Sequence, residues 1–161
     1  MKFNKLFLFV FSLIAIWSCH ASLPKNSKSM DKQTILFVCE HGAGRSAVAA
    51  TYFNTIAEKR GLNYHAIFRG IEPQEALGAS TKNGLIKDSI DVIHLIPTRL
   101  TKNDITNAYK TITLDCTLPD TLNKATMTWT GIEMNGNYAV SKKQVAFKVD
   151  SLITILPKNR K

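Results

Sequence analysis

Cysteine is scarce in this chain. Only three occur among 161 residues, at positions 19, 39 and 116. Cys19 lies in an N-terminal apolar stretch, so the folded part carries only Cys39 and Cys116, which excludes a disulfide scaffold. The four histidines are scattered. No His/Cys cluster has zinc spacing, so no metal or cofactor is expected. There is no repeat period, no low-complexity run and no Gly/Ser linker, which excludes solenoids and beads of small domains.

What is present suits one domain. A hydrophobic content of 45% against 20% charged residues supports a single core. The formal charge is +9, and +7 without Lys2 and Lys5. That excess favours anionic ligands or surfaces, and no nucleic-acid partner is expected. Lys2 and Lys5 precede "LFLFVFSLIAIW", a run of signal-peptide length that is too short to span a bilayer comfortably. Residues 1–21 therefore read as a signal peptide and 22–33 as a polar tether. The folded domain is expected over 34–157. Cleavage after Ala21 would release the protein, whereas cleavage before Cys19 would leave a lipidated cysteine and a membrane attachment, although Trp17 is bulky for such a site. Either route predicts an exported, periplasmic protein.

Ile35 to Val38 read as a buried strand and Ala47 to Arg60 as a helix that stops at Gly61. A second strand is expected near Tyr64 to Phe68. A short helix follows in "STKNGLIKDSI", with Ser80 as its cap. "LTKNDITNAY" predicts another, with Thr101 as cap and Asp104 three residues on. "KTITLD" and "ATMTWT" read as the third and fourth strands. Val145, Val149, Leu152 and Leu156 mark a closing amphipathic helix from about Tyr138 to Leu156. Alternating strands and helices predict an α/β domain with a parallel sheet, whose ligand sits beyond the carboxyl ends of the strands.

Cys39 stands at that end, in "CEHGAGRS". The backbone N–H groups of Glu40, His41, Gly42, Ala43, Gly44, Arg45 and Ser46 can curl into a nest for a tetrahedral oxyanion. The following helix adds its positive end. Gly42 and Gly44 permit positive φ values. Arg45 offers a planar fork to two oxygens of one anion. The same surroundings favour the thiolate of Cys39, and Ser46 can donate to it or cap the helix. Glu40 is expected to face solvent, and His41 to steady the loop.

"ILFVCEHGAGRSAVAA" resembles the phosphate-binding loop of the low-molecular-weight protein tyrosine phosphatase superfamily, and its "H-x-A-G-R-S" portion resembles the superfamily's arsenate reductases. The resemblance extends through "FRGIEP", "NGLIKDSIDV", "TITLD" and "WTGIE". It implies a three-layer α/β/α fold with a four-stranded parallel sheet in flavodoxin-like order. It also implies attack by Cys39 on phosphorus or arsenate, with Arg45 binding the oxyanion and Ser46 supporting the thiolate. The ligand would be phosphate, arsenate or a phosphorylated substrate of the phosphotyrosine class. The family's late Asp-Pro pair, whose Asp protonates the leaving oxygen, is missing. Glu133 and Asp115 take its place as candidate acids, with Asp120 behind them. Cys116 is the one thiol placed to resolve a disulfide with Cys39, although a packed core thiol is the simpler reading. Arsenate reduction, a phosphate-binding protein without catalysis and a Cys39/Cys116 redox sensor stand as alternatives.

Overall fold

A computed structural model describes residues 31–122, 125–134 and 136–157. The expected targeting segment, Cys19 and most of the tether lie outside the described residues. Four strands, β1 (Gln33–Cys39), β2 (Tyr64–Gly70), β3 (Ala108–Leu114) and β4 (Met127–Trp129), pair in parallel in the order β2-β1-β3-β4. Four helices accompany them: α1 (Arg45–Lys59), α2 (Ala79–Lys87), α3 (Lys102–Asn107) and α4 (Tyr138–Ile155). A single 3-10 turn spans Asp120–Leu122. The four-stranded parallel α/β sheet of the expected order is what forms. Among the described residues no helix is long and apolar enough to cross a membrane.

The pleat of β1 divides the core. Ile35, Phe37 and Cys39 face one side and join Phe53, Leu85, Trp129 and Val149 beneath α1, α2 and α4. Leu36 and Val38 face the other side, where Leu100, Ile105 and Leu118 cover them. A strand buried on both faces carries no polar alternation, which is why "ILFV" is continuous. Because β1 feeds α1 toward β2 on one side and borders β3 on the other, the crevice at its carboxyl end is the ligand position such sheets favour.

The helix ends follow local chemistry. At the end of α1, Gly61 adopts φ +60°. Its N–H reaches Glu58 O at 3.1 Å and the Leu62 N–H reaches Ala57 O at 2.8 Å, a Schellman stop of the kind glycine allows. The α3 start has the expected capping box between Thr101 and Asp104. Burial alone would raise the Asp104 carboxyl, but Arg69 at 2.9 Å and Thr101 together hold it below its ordinary value. Ser80 does not cap α2 as expected. Gly78 holds that position, and the Ser80 hydroxyl instead donates to Gly136 O at 2.6 Å. A long-range acceptor has displaced the local one.

Candidate active site

The loop from Cys39 to Gly44 is stretched over the end of β2 by its carbonyl groups. Those of Cys39, Glu40, His41 and Ala43 accept from the backbone N–H groups of Ile71, Glu72, Gln74 and Gly78, at 2.8 to 3.2 Å. With the carbonyls tied outward, the N–H groups of residues 41–44 have no protein acceptor among the described residues. The nest expected from the sequence is thereby built by its neighbours. Close approach makes it tight: at Gly42 (φ +63°) an added Cβ would lie 2.9 Å from Gly70 N, and one at Gly70 would lie 2.8 Å from Gly42 N. Gly42 needs positive φ, as expected. Gly44 does not: its φ is −139°, and its missing side chain makes room for Met134, whose Cε would sit 2.5 Å from a Cβ there.

Helix α1 begins without any side-chain cap and with no acidic residue in its first turn. It opens with Arg45, a cation at the positive end of a helix, which is locally unfavourable. An end left uncapped in this way keeps its orphan donors for an anion. Broken local rules of this kind mark functional sites.

Cys39 is 4% exposed at the floor of the loop. Its Sγ lies 3.1 Å from the Ser46 hydroxyl. Ser46 is fully buried and also reaches Arg69 O at 3.4 Å. With a thiol present the hydroxyl can accept from sulfur and donate to that carbonyl; with a thiolate it turns and donates to sulfur. Ser46 does not cap α1; its hydroxyl sits between Cys39 Sγ and Arg69 O. A cavity of about 270 Å³ opens above Cys39, walled by Arg45, Gln74, Ser80, Thr81 and Met134. Glu40 is exposed, as expected, and borders the cavity. His41 shares a 3.2 Å hydrogen bond with Glu72 O, which steadies the loop.

The two candidate acids are placed differently. Asp115 is at the site, but both its oxygens are already acceptors. Gly131 N–H donates at 2.7 Å and Ile132 N–H at 2.8 Å, and Arg45 Nε lies 3.3 Å away. A proton on Oδ2 would compete with both of its neighbours there, Ile132 N–H and Arg45. Glu133 is exposed and does not line the cavity. Its main chain holds the loop to α4, the N–H donating to Gln144 Oε1 at 2.8 Å and the carbonyl accepting from Ser141 Oγ. Asp120 sits exposed in the 3-10 turn, also away from the cavity. Arg45 is tied as well, Nε donating to Ile132 O at 2.6 Å. Trp129 packs on Phe37 with ring centroids 5.4 Å apart, and Tyr138 lies against Gly84. Among the described residues no Phe, Tyr or Trp ring lines the cavity.

Cys116 belongs to the opposite face of the sheet from Cys39, packed with Leu36 and Val38. Its Sγ–H donates to Val38 O at 3.5 Å, and burial pushes the thiol up to about 11. Both cysteines are free. Among the described residues no cluster of His, Cys, Asp and Glu could hold a metal. Reading the sequence passed over Gly70, Ile132 and Met134. Only Gly70, a glycine closing a strand, left a signal there.

No curated protein sequence matches the chain. Solved structures do. YfkJ from Bacillus subtilis superposes with a TM-score of 0.67 at 17% identity, over 76% of this chain and 93% of that one. A YwlE arginine phosphatase mutant with a phosphorylated active-site serine gives 0.67 at 18%, over 80% and 98%. The arsenate reductase from Archaeoglobus fulgidus gives 0.59 at 21%, over 74% and 98%. These likenesses are of fold. The family model of the low molecular weight phosphotyrosine protein phosphatases matches residues 34–151, from the first residues of β1 into the last turns of α4. With the cysteine, the nest and the uncapped helix in the places that the fold reserves for a ligand, the chain belongs to the low molecular weight phosphotyrosine protein phosphatase family.

Proposed function

We propose that the protein hydrolyses phosphate monoesters of the phosphotyrosine class through a phosphocysteine intermediate, and that it works after export. The observation that carries the chemistry is the buried Cys39 sulfur, 3.1 Å from Ser46 Oγ, beneath N–H groups that no protein acceptor takes. The Cys39 thiolate attacks phosphorus, the S–P bond forms and the P–O bond to the leaving group breaks. The nest, the α1 terminus and Arg45 hold the three remaining oxygens as charge redistributes. Water then attacks phosphorus, breaks the S–P bond and releases phosphate and the thiolate.

The cavity walls bear on the acid. Among the described residues Glu40 is the one carboxylate lining the cavity, and Asp115 already accepts from Gly131 and Ile132. The leaving oxygen therefore departs largely unprotonated, and loss of general-acid help costs about 10²–10⁴-fold for poor leaving groups. Arsenate reduction through a Cys39–Cys116 disulfide is disfavoured. Cys116 stays protonated at neutral pH, and its attack on the sulfur of a Cys39–arsenic adduct, which forms the S–S bond and releases arsenite, requires the thiolate.

The test is a series of aryl phosphates of rising leaving-group pKa, assayed beside arsenate with added thiol. A steep decline with leaving-group pKa and no arsenate turnover is the expected result. A flat series would demand an acid within reach, and arsenate turnover alone would replace the proposal by reduction. Export is tested separately by mass spectrometry of the native protein, where an intact Met1 would contradict it.

A further inference from the structure

Asp115 closes β3 in an unusual conformation. Its φ of +47° lies in the left-handed region, which non-glycine residues seldom enter and which Asp and Asn tolerate better than most. That turn aims the carboxylate back across the site. One oxygen takes the Gly131 N–H and the other the Ile132 N–H, while Arg45 Nε lies 3.3 Å from the second. Arg45 Nε also donates to Ile132 O at 2.6 Å. Three elements thus meet in one triangle: the first residue of α1, the residue after β3, and the loop before α4.

The arrangement has a chemical consequence. A guanidinium carries five N–H donors in one rigid plane. With Nε engaged, the four on Nη1 and Nη2 remain, and among the described residues no protein acceptor takes them. Fixing Nε fixes the plane in which those four point. Arg45 borders the cavity above Cys39, and the loop pinned by Asp115 leads directly to Met134, the wall facing Gly44.

We propose that Asp115 is a positioning residue, which pins residues 131–132 so that Ile132 O takes the Arg45 Nε hydrogen, and which adds its charge beside Nε, so that the outer guanidinium nitrogens face the oxyanion. It is not the proton donor. The inference rests on the phosphoryl-transfer reading of the site, yet its central measurement, phosphate binding, needs no turnover.

Asp115→Asn is the informative variant: asparagine tolerates the same φ, removes the charge and turns an amide NH2 toward one of the two N–H groups. Phosphate affinity read by calorimetry is expected to weaken about tenfold, the scale of one charge-assisted hydrogen bond. The dependence of turnover on leaving-group pKa is expected to keep its wild-type slope. In an Arg45→Lys background the same substitution should add less than about a twofold further loss, because its route to the anion is already gone. Unchanged phosphate affinity would overturn the proposal. So would a steeper leaving-group slope, which would make Asp115 the acid, or fully additive losses in the double variant. If Asp115→Asn does not fold, Arg45→Lys alone decides, by amide hydrogen exchange. Faster exchange at Gly131 and Ile132 supports the coupling, and unchanged exchange refutes it. Should the wild type hydrolyse no ester while its phosphate affinity still falls in Asp115→Asn, the positioning role stands and the hydrolase reading fails.

Discussion

Cys39 ends β1, and Cys116 lies two residues beyond the end of the adjacent strand β3. Two sulfurs at the same edge of one sheet therefore sit in opposite chemical surroundings. The pleat turns Cys39 to the α1 face, where it meets the Ser46 hydroxyl, the open N–H groups of its loop and the start of an uncapped helix. Cys116 falls on the other face among Leu36, Val38 and Leu118, with a main-chain carbonyl as its hydrogen-bond partner. The first surroundings offer hydrogen-bond donors, whereas burial in the second penalises a charge on the Cys116 sulfur. Proximity to the site is thus no guide to a thiol's surroundings; the face of the sheet decides.

The largest expected effect breaks the comparison at its active side. Cys39→Ser should reduce turnover of an aryl phosphate by at least about 10⁴-fold, as loss of a nucleophile does. Phosphate binding should persist, since the nest is main chain. Residual activity within tenfold of wild type would remove Cys39 from the chemistry. Next comes the anion's fork. Arg45→Lys should cost about 10²–10³-fold in turnover, the scale of one lost oxyanion donor, and should weaken vanadate inhibition. An unchanged inhibition constant would show that Arg45 does not hold the anion.

Alkylation sharpens the contrast between the two thiols. With Cys116 raised to about 11, its thiolate fraction at pH 7 is roughly one part in 10⁴. Iodoacetamide at neutral pH should therefore label Cys39 first, by at least about 10²-fold, as read by peptide mass spectrometry. Equal labelling of both would erase the distinction. The same shift has a stability consequence. The unfolded thiol loses its proton from about pH 9, whereas the folded one keeps it until about 11. Across that window the unfolded state binds fewer protons, so stability falls as pH rises. Cys116→Ala should flatten that fall in chemical denaturation at pH 8 and pH 10.

The smallest effect lies in activity at the passive side. Cys116→Ala should change turnover by less than about threefold and stability by about 1 kcal/mol, as for a half-buried side chain. A large loss of arsenate or phosphatase activity would restore Cys116 as a redox partner of Cys39.

Much of the fold was legible because its signals are local. "ILFV" bounded by glycine-rich sequence, the Thr101–Asp104 capping box, the Gly61 stop and the spacing of Val145, Val149, Leu152 and Leu156 each lie within a few residues. Each appears where expected. The loop was legible for the same reason. Cys39 and Ser46 are seven residues apart, and a strand–loop–helix turn brings such neighbours together without help from the rest of the chain.

The failures share the opposite cause. Ser80 reads as a cap until Gly136, 56 residues away, takes its hydroxyl. Gly44 reads as a positive-φ residue until Met134 shows that the need is for space. Asp115 and Glu133 read as acids because a carboxylate near the end of a strand is available chemistry. Only the folding of 131–134 against β3 and α4 sets Asp115 beside Arg45 and leaves Glu133 at the surface. By itself, the sequence determined the parallel α/β order and the strand–loop–helix turn that carries Cys39, since those depend on periodicity and short-range spacing. The tertiary structure decided how the guanidinium is held, which N–H groups Asp115 accepts and which face of the sheet each cysteine takes. Those depend on hydrogen bonds and burial between segments far apart in the chain.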